Sequence, residues 1–216
     1  GMKSSDFTNR TDSSKLQFRH DMAKAKIHGF LDHPGTTFRR YANQNNLPAR
    51  YARSIAFYKN GETQKAVELV DKLINSQPNN PYFHELKGQI LYEAGKLKQS
   101  IAPYRKSVAI APNEPLLQIG LATSLLSLEN KSSAEEARGI LKKSLRIEED
   151  NITAFYQMAT AYALLGDTGR AELATAERYY ILGNIKKASM HAHRAMKYLP
   201  KNSPEWLKAQ DIMANL

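Results

Sequence analysis

Cysteine is absent from the 216 residues, so the chain forms no disulfide, offers no thiolate to a metal, and leaves its redox compartment open. Long apolar runs are missing too. The stretch from Leu116 to Leu128 is interrupted by Ser, Thr, Gln and Gly and is too short to cross a bilayer. Net charge is +10 and the pI is about 9.6, which raises nucleic acid or an acidic surface as partners. Against nucleic acid, no run of five basic residues occurs, no glycine-aromatic RNA-binding signature accompanies the lysines, and residues 114–151 are net acidic. A solvated basic face accounts for the excess. Also lacking are a nucleophile elbow, a phosphate-cradling glycine loop and a dinucleotide fingerprint. Gly1-Met2 reads as a remnant of expression, and neither a charged leader nor an apolar signal core follows it.

Histidines do not repair the lack of catalytic chemistry. His84-Glu85-Leu86-Lys87-Gly88 begins like a zinc-protease helix, but glycine stands where a second ligand would be needed four residues after the first. His191 and His193 are two apart on an expected helix and point away from each other. His20, His28 and His33 have no ligand spacing. No catalytic residue, metal site or cofactor is assigned to this chain.

What the chain does have is a repeat. Gly61 recurs as Gly95 and Pro78 as Pro112, each 34 positions later, and the flanking residues Tyr58 to Ala66 are echoed by Tyr92 to Ser100. That interval is similar to the tetratricopeptide (TPR) period, a helix-turn-helix unit that buries its apolar face only by stacking on neighbours. Glycine ends the first helix in a left-handed conformation, a small residue (Ala66, Ser100) sits where the helices cross, and proline stops the second. The expected fold is all-α: a TPR-like α-α superhelix, or solenoid, of about four to five units, preceded by an N-terminal helix.

In order, residues 3–13 are polar and read as extended, with Asp12 or Ser13 capping an amphipathic helix from Ser14 to Leu31 whose apolar residues are Leu16, Ala23, Ile27, Phe30 and Leu31, with Met22 on the flank. Pro34-Gly35 breaks it, a short helix occupies 36–41, and 42–46 is a polar linker. Residues 1–46 thus form a linker segment and 47–216 a repeat domain. Its units span 47–80, 81–114, 115–151 and 152–183, with a fifth at about 168–200 overlapping the fourth and a capping helix at 203–216. In the third unit the turn at Glu129–Ser133 is expected to be about three residues longer. Gly183-Asn184 and Ala188 repeat Gly166-Asp167 and Ala171 after 17 residues, half a period, so one helix must serve two units.

Such a solenoid offers a concave surface lined by first helices. Repeat position puts Tyr51, Ile55 and Tyr58, then Tyr82, Gln89 and Tyr92, then Ile119, Thr123 and Leu126, then Tyr156 and Thr160 in a partner-binding groove. Tyrosine supplies contact area at low rotamer cost with a polar tip, which suits an extended peptide or a partner helix. The lysine and asparagine pattern by which TPR clamps hold a terminal carboxylate is not found there.

The runs Leu16 to Leu31, Leu47-Pro-Ala-Arg-Tyr-Ala-Arg53, Asn80-Pro-Tyr-Phe-His-Glu-Leu-Lys-Gly88 and Ser203-Pro-Glu-Trp-Leu-Lys-Ala-Gln-Asp-Ile212 resemble the C-terminal region of bacterial zinc metalloproteases of the BepA (YfgC) type. In that family a peptidase domain with a His-Glu-x-x-His motif precedes a TPR array. The resemblance implies the binding half of a periplasmic metalloendopeptidase in envelope protein quality control or outer-membrane protein assembly. Zinc would be held in a peptidase domain absent from this chain, and partners would be substrate polypeptides, outer-membrane assembly proteins and that peptidase domain. The other reading is a free-standing cytoplasmic TPR adaptor.

Overall fold

The structure is a computed structural model that describes residues 5–214, with side chains from residue 16 onward. Among the described residues it contains twelve helices and no strand. They are α1 Ser5–Leu31, α2 Pro34–Arg40, α3 Leu47–Lys59, α4 Thr63–Ser76, α5 Pro81–Glu93, α6 Leu97–Ile110, α7 Pro115–Leu126, α8 Lys131–Ile147, α9 Ile152–Leu165, α10 Thr168–Ile181, α11 Ile185–Tyr198 and α12 Pro204–Ala214. Two compact units result, residues 1–94 and 95–216.

Helix starts follow from asparagine and proline. Asn46, Asn80 and Asn151 each accept a backbone N–H of the following first turn, and proline occupies the first turn of α3 and α5, where its missing N–H costs nothing. At the turns, Gly61, Gly95, Gly166 and Gly183 hold φ of +78°, +75°, +80° and +68°. Glu129, 34 residues after Gly95, takes the same left-handed conformation at φ +51° with a side chain present.

In the first unit, α3 is the central helix, packed by α1, α2 and α4, and α5 packs on α4. Its core holds Ala25, Tyr41, Tyr51, Ile55, Val70, Leu73, Phe83, Leu86 and Ile90. Lys59 Nζ donates to the carbonyls of Phe30 and Asp32, both at 2.7 Å, and closes the end of α1, where carbonyls lack helical partners. Arg53 does the same for the 41–44 turn, donating to the carbonyls of Tyr41 and Gln44 at 2.5 and 2.6 Å.

Three expectations need correction here. Helix α1 begins at Ser5, so Asp12 and Ser13 lie inside it rather than capping it, and residues 3 and 4 lie outside the described residues. Its buried face is also different. Leu16, Ile27 and Leu31 are 63%, 54% and 79% exposed, whereas Ala25 is fully buried and Met22 and Phe30 pack on the core. Small residues win that face because the helices approach closely: a Cβ on Gly29 would stand 2.8 Å from Ile55 Cδ1. Finally, the three added residues of the third repeat lengthen its second helix. α8 has 17 residues against 14 in α6 and begins 34 positions after it, so nearly one extra turn is added at its C-terminal end.

In the second unit neighbouring helices pack pairwise from α6 to α12. α10 packs on both α9 and α11, and α12 seats Ala209 and Ile212 against α10 and α11, with Trp206 and Met213 beside them. The Ser203-Pro-Glu-Trp run starts α12: Ser203 Oγ accepts the Trp206 N–H, and Glu205 receives Arg170 of α10 at 3.0 Å.

Candidate polypeptide-binding surface

The groove residues separate by exposure. Tyr51 and Ile55 are 2% and 0% exposed, and Ile119 and Leu126 are 5% and 4%. They are core residues, which corrects their assignment to an open lining. The physical reason in the first unit is α1, which lies on α3 and occupies the face that repeat position alone would leave open. Tyr58 is half-buried against the core, and Gln89 and Tyr92 are half-buried on α5, Gln89 donating to Glu93 at 3.0 Å. Thr123 and Thr160 are half-buried and return their hydroxyls to the carbonyls of Ile119 and Tyr156. Tyr82 and Tyr156 are exposed, the latter with the Arg178 guanidinium 5.3 Å from its ring centre.

Two of these tyrosines meet in a cleft that repeat position did not indicate. A cavity of about 380 Å³ between α1 and the start of α5 is lined by Phe18, Arg19, Met22, Ala23, Lys26, Tyr51, Asn80, Tyr82 and Phe83. Tyr51 forms its floor, its ring 5.8 Å from that of Phe83, and Phe18 and Tyr82 remain partly exposed at its mouth. Burial pushes the Tyr51 phenol well above its usual range, with the Glu85 carboxylate adding to it. The Glu85 carboxyl is itself raised by burial, an effect that Lys26 opposes. Aromatic and thioether walls with two cations suit a bulky apolar side chain on an extended backbone. The signal in the sequence was Phe18-Arg19 and Met22 at helical spacing, visible only once α1 and the start of α5 are known to line one cavity.

The second unit has a cavity of about 530 Å³ between α8, α9, α10 and α12, lined by Lys142, Arg146, Phe155, Met158, Tyr162, Arg170 and Glu177 among others. Much of its charge is already committed. Arg170 pairs with Asp167 at 2.7 Å and Glu205 at 3.0 Å, and Lys208 meets Glu177 at 2.5 Å. Hydrogen bonds donated to Asp167 first and Glu205 second push the Arg170 guanidinium further up, while burial raises Glu177 against the pull of Lys208. This cavity ties α12 to its neighbours.

The zinc-protease-like start at His84 has a structural use. His84 Nε2 donates to the Pro78 carbonyl at 2.8 Å, and 34 residues later Gln118 Nε2 donates to the Pro112 carbonyl at 2.6 Å. Gly88 falls in the buried small-residue series Ser54, Gly88, Ala122. Among the described residues no group of His, Asp and Glu could hold a metal ion, and no helix is long and apolar enough to cross a membrane.

Residues 51–115 match the tetratricopeptide repeat family. A TPR repeat-containing protein of Methanocaldococcus jannaschii is 27% identical over 174 residues, covering 76% of this chain and 27% of that protein. The chain thus spans about a quarter of the length of that relative. Among solved structures, YrrB, a TPR protein described as having an unusual peptide-binding site, superimposes with a TM-score of 0.60 at 14% identity, covering 88% of this chain and 98% of its own. MamA of Desulfovibrio magneticus gives 0.58 at 14% identity, covering 83% and 92%. A tetratricopeptide repeat protein of Parabacteroides merdae gives 0.55 at 13%, covering 95% and 86%. At these identities the likeness shows the fold, which is all-helical and of the TPR type.

Proposed function

We propose that this chain is a polypeptide-binding module and that the cleft between α1 and α5 seats an apolar side chain of its partner. The observation that carries this is the cleft itself: aromatic walls from Phe18, Tyr51, Tyr82 and Phe83 beside Arg19 and Lys26. The TPR fold supports a polypeptide partner, and a peptide-binding site is described for YrrB. The test is a titration with a fluorescently labelled, reduced and carboxymethylated polypeptide as an unfolded probe. Phe18→Ala combined with Tyr82→Ala should weaken binding by about tenfold while circular dichroism and melting stay unchanged. Unaltered affinity in a folded double variant overturns the cleft.

The finer reading follows the resemblance to BepA-type zinc metalloproteases. In it the chain presents substrates or outer-membrane assembly partners to a peptidase domain in the periplasm, as part of envelope protein quality control. Zinc would be held by that domain, since His84 is spent on the Pro78 carbonyl and Gly88 stands at the second ligand position. The exposed apolar side chains of Leu16, Ile27 and Leu31 along one side of α1 support this reading, because they are available to a neighbouring domain. The coding sequence upstream of Lys3 tests it: a His-Glu-x-x-His motif and a secretion signal are expected there. A native start at Met2 would instead favour the free-standing adaptor.

A further inference from the structure

The turn between α10 and α11 differs from the α3–α4 and α5–α6 turns in composition, and from the α7–α8 and α9–α10 turns in exposure, since Leu128, Leu164 and Leu165 there are half-buried. The α3–α4 turn is Lys59-Asn-Gly-Glu62 and the α5–α6 turn Glu93-Ala-Gly-Lys96, both polar or small. Here the chain reads Tyr180-Ile-Leu-Gly-Asn-Ile-Lys-Lys187, and all eight residues are exposed. Tyr180, Ile181, Leu182 and Ile185 are 39%, 37%, 47% and 39% accessible, so large apolar side chains cluster on a tip where folding alone would select polar ones.

Charge singles out the same place. From Arg178 to Pro204 the chain carries Arg178, Lys186, Lys187, Arg194, Lys197 and Lys201 and neither Asp nor Glu. Helix α11 buries Ala188, Ala192 and Ala195 and turns Lys186, Met190, His193, Arg194 and Lys197 outward. The flanking acids in sequence are committed: Glu172 to His191 at 2.6 Å and Arg194 at 3.9 Å, Glu177 to Lys208 at 2.5 Å, and Glu205 to Arg170 at 3.0 Å. Lys187 and Arg178 lie over the Tyr179 ring, at 5.0 and 5.5 Å from its centre, and among the described residues neither forms an ion pair with a carboxylate.

We infer that this tip and the outward face of α11 dock on an anionic lipid surface, with Tyr180, Ile181, Leu182 and Ile185 entering the interface and Lys186, Lys187 and Lys197 meeting the headgroups. Apolar side chains splayed from a turn have no cleft to receive one shaped partner, but they fit a medium that deforms around them. The flanking lysines supply the attraction that a short apolar tip lacks by itself, and long lysine stems let the ammonium groups stay at headgroup level while the tip goes deeper. This surface is separate from the α1–α5 cleft and does not depend on it.

Because the chain has no cysteine, Leu182→Cys can carry a single environment-sensitive fluorophore. The full chain so labelled is mixed with phosphatidylcholine vesicles, with and without phosphatidylglycerol, and binding is read by emission shift and by co-sedimentation of the unlabelled protein. A blue shift with the anionic vesicles alone, lost in high salt, is expected. Ile181→Asp with Leu182→Asp, and separately Lys186→Glu with Lys187→Glu, should each reduce co-sedimentation by about tenfold or more without changing helical content, whereas Leu116→Asp, exposed elsewhere, should not. Equal shifts with neutral and anionic vesicles, or undiminished sedimentation of either tip variant, overturn the inference. A shift on adding soluble polyglutamate but not vesicles overturns it in favour of an acidic polypeptide.

Discussion

His84 shows what a single side chain does in a repeat. Its ring N–H holds the Pro78 carbonyl at the preceding turn, and Gln118 holds Pro112 in the same way one period on. His84→Ala should therefore cost about 1–2 kcal/mol, because a part-buried hydrogen bond from a buried side chain is lost. His84→Gln should recover most of it, which thermal melts of the two variants would check. Glu85, next to it, makes a pH-dependent prediction. Burial raises its carboxyl above the ordinary 4.5, so the native state holds this proton to higher pH than the unfolded chain does. Its ionisation then disfavours the fold: the cost is absent below about pH 4 and grows as pH rises through the carboxylate range. Glu85→Gln should melt higher than wild type at neutral pH, and the two curves should converge near pH 4. A lower melting temperature for the variant at neutral pH would contradict this. The sequence marks both residues, since His84-Glu85 looks like chemistry. Their actual partners, a turn carbonyl and a buried setting under Lys26, depend on tertiary neighbours that spacing does not name.

Among the helices, the periodicity of glycine and proline was legible wherever local geometry decides. Gly61, Gly95, Gly166 and Gly183 sit at helix ends in the left-handed region, and α10, between the last two, packs on both neighbours as every helix from α7 to α11 does. Less legible was α1. Apolar spacing pointed to Leu16, Ala23, Ile27, Phe30 and Leu31 with Met22 on the flank; Phe30 and Met22 do pack, but the closest approach is made by Ala25 and Gly29, because nearness to Ile55 rewards small size over hydrophobicity. Placing α1 there also turned Tyr51 and Ile55 from surface to core. Gly29→Ala should consequently destabilise by about 1–3 kcal/mol, since the new methyl would meet Ile55 Cβ at 2.9 Å. Gly139→Ala, in open space on α8, should gain up to roughly 1 kcal/mol from helix propensity. Chemical denaturation of the pair distinguishes crowding from a general effect of alanine. The three added residues of the third repeat were legible in the sequence but as a longer turn, whereas they extend α8. Three residues are close to one helical turn, so the insertion keeps the apolar face in phase and leaves no break in the pattern.

For the whole molecule, net charge of +10 invites a polyanion reading that the distribution of lysines weakens. Binding to a duplex DNA oligonucleotide should be detectable by fluorescence anisotropy only at low salt and vanish by about 150 mM, where exposed charges are screened within about 8 Å. Persistence of tight binding at that salt would show a contiguous phosphate-tracking surface. The repeat itself was readable throughout, as a 34-residue echo in the first half and as helix-turn signals in the second. The cleft was not, since it joins α1, outside the repeat, to α5, inside it. The 17-residue echo of Gly166-Asp167 in Gly183-Asn184 also bears on how such a chain can change length. Joining Gly166 directly to Asn184 would excise α10 and leave a turn of the same glycine-polar chemistry between α9 and α11. A variant lacking residues 167–183 is therefore expected to keep a helical stack in which α11 takes the place of α10 against α9, which circular dichroism and melting of that deletion would check.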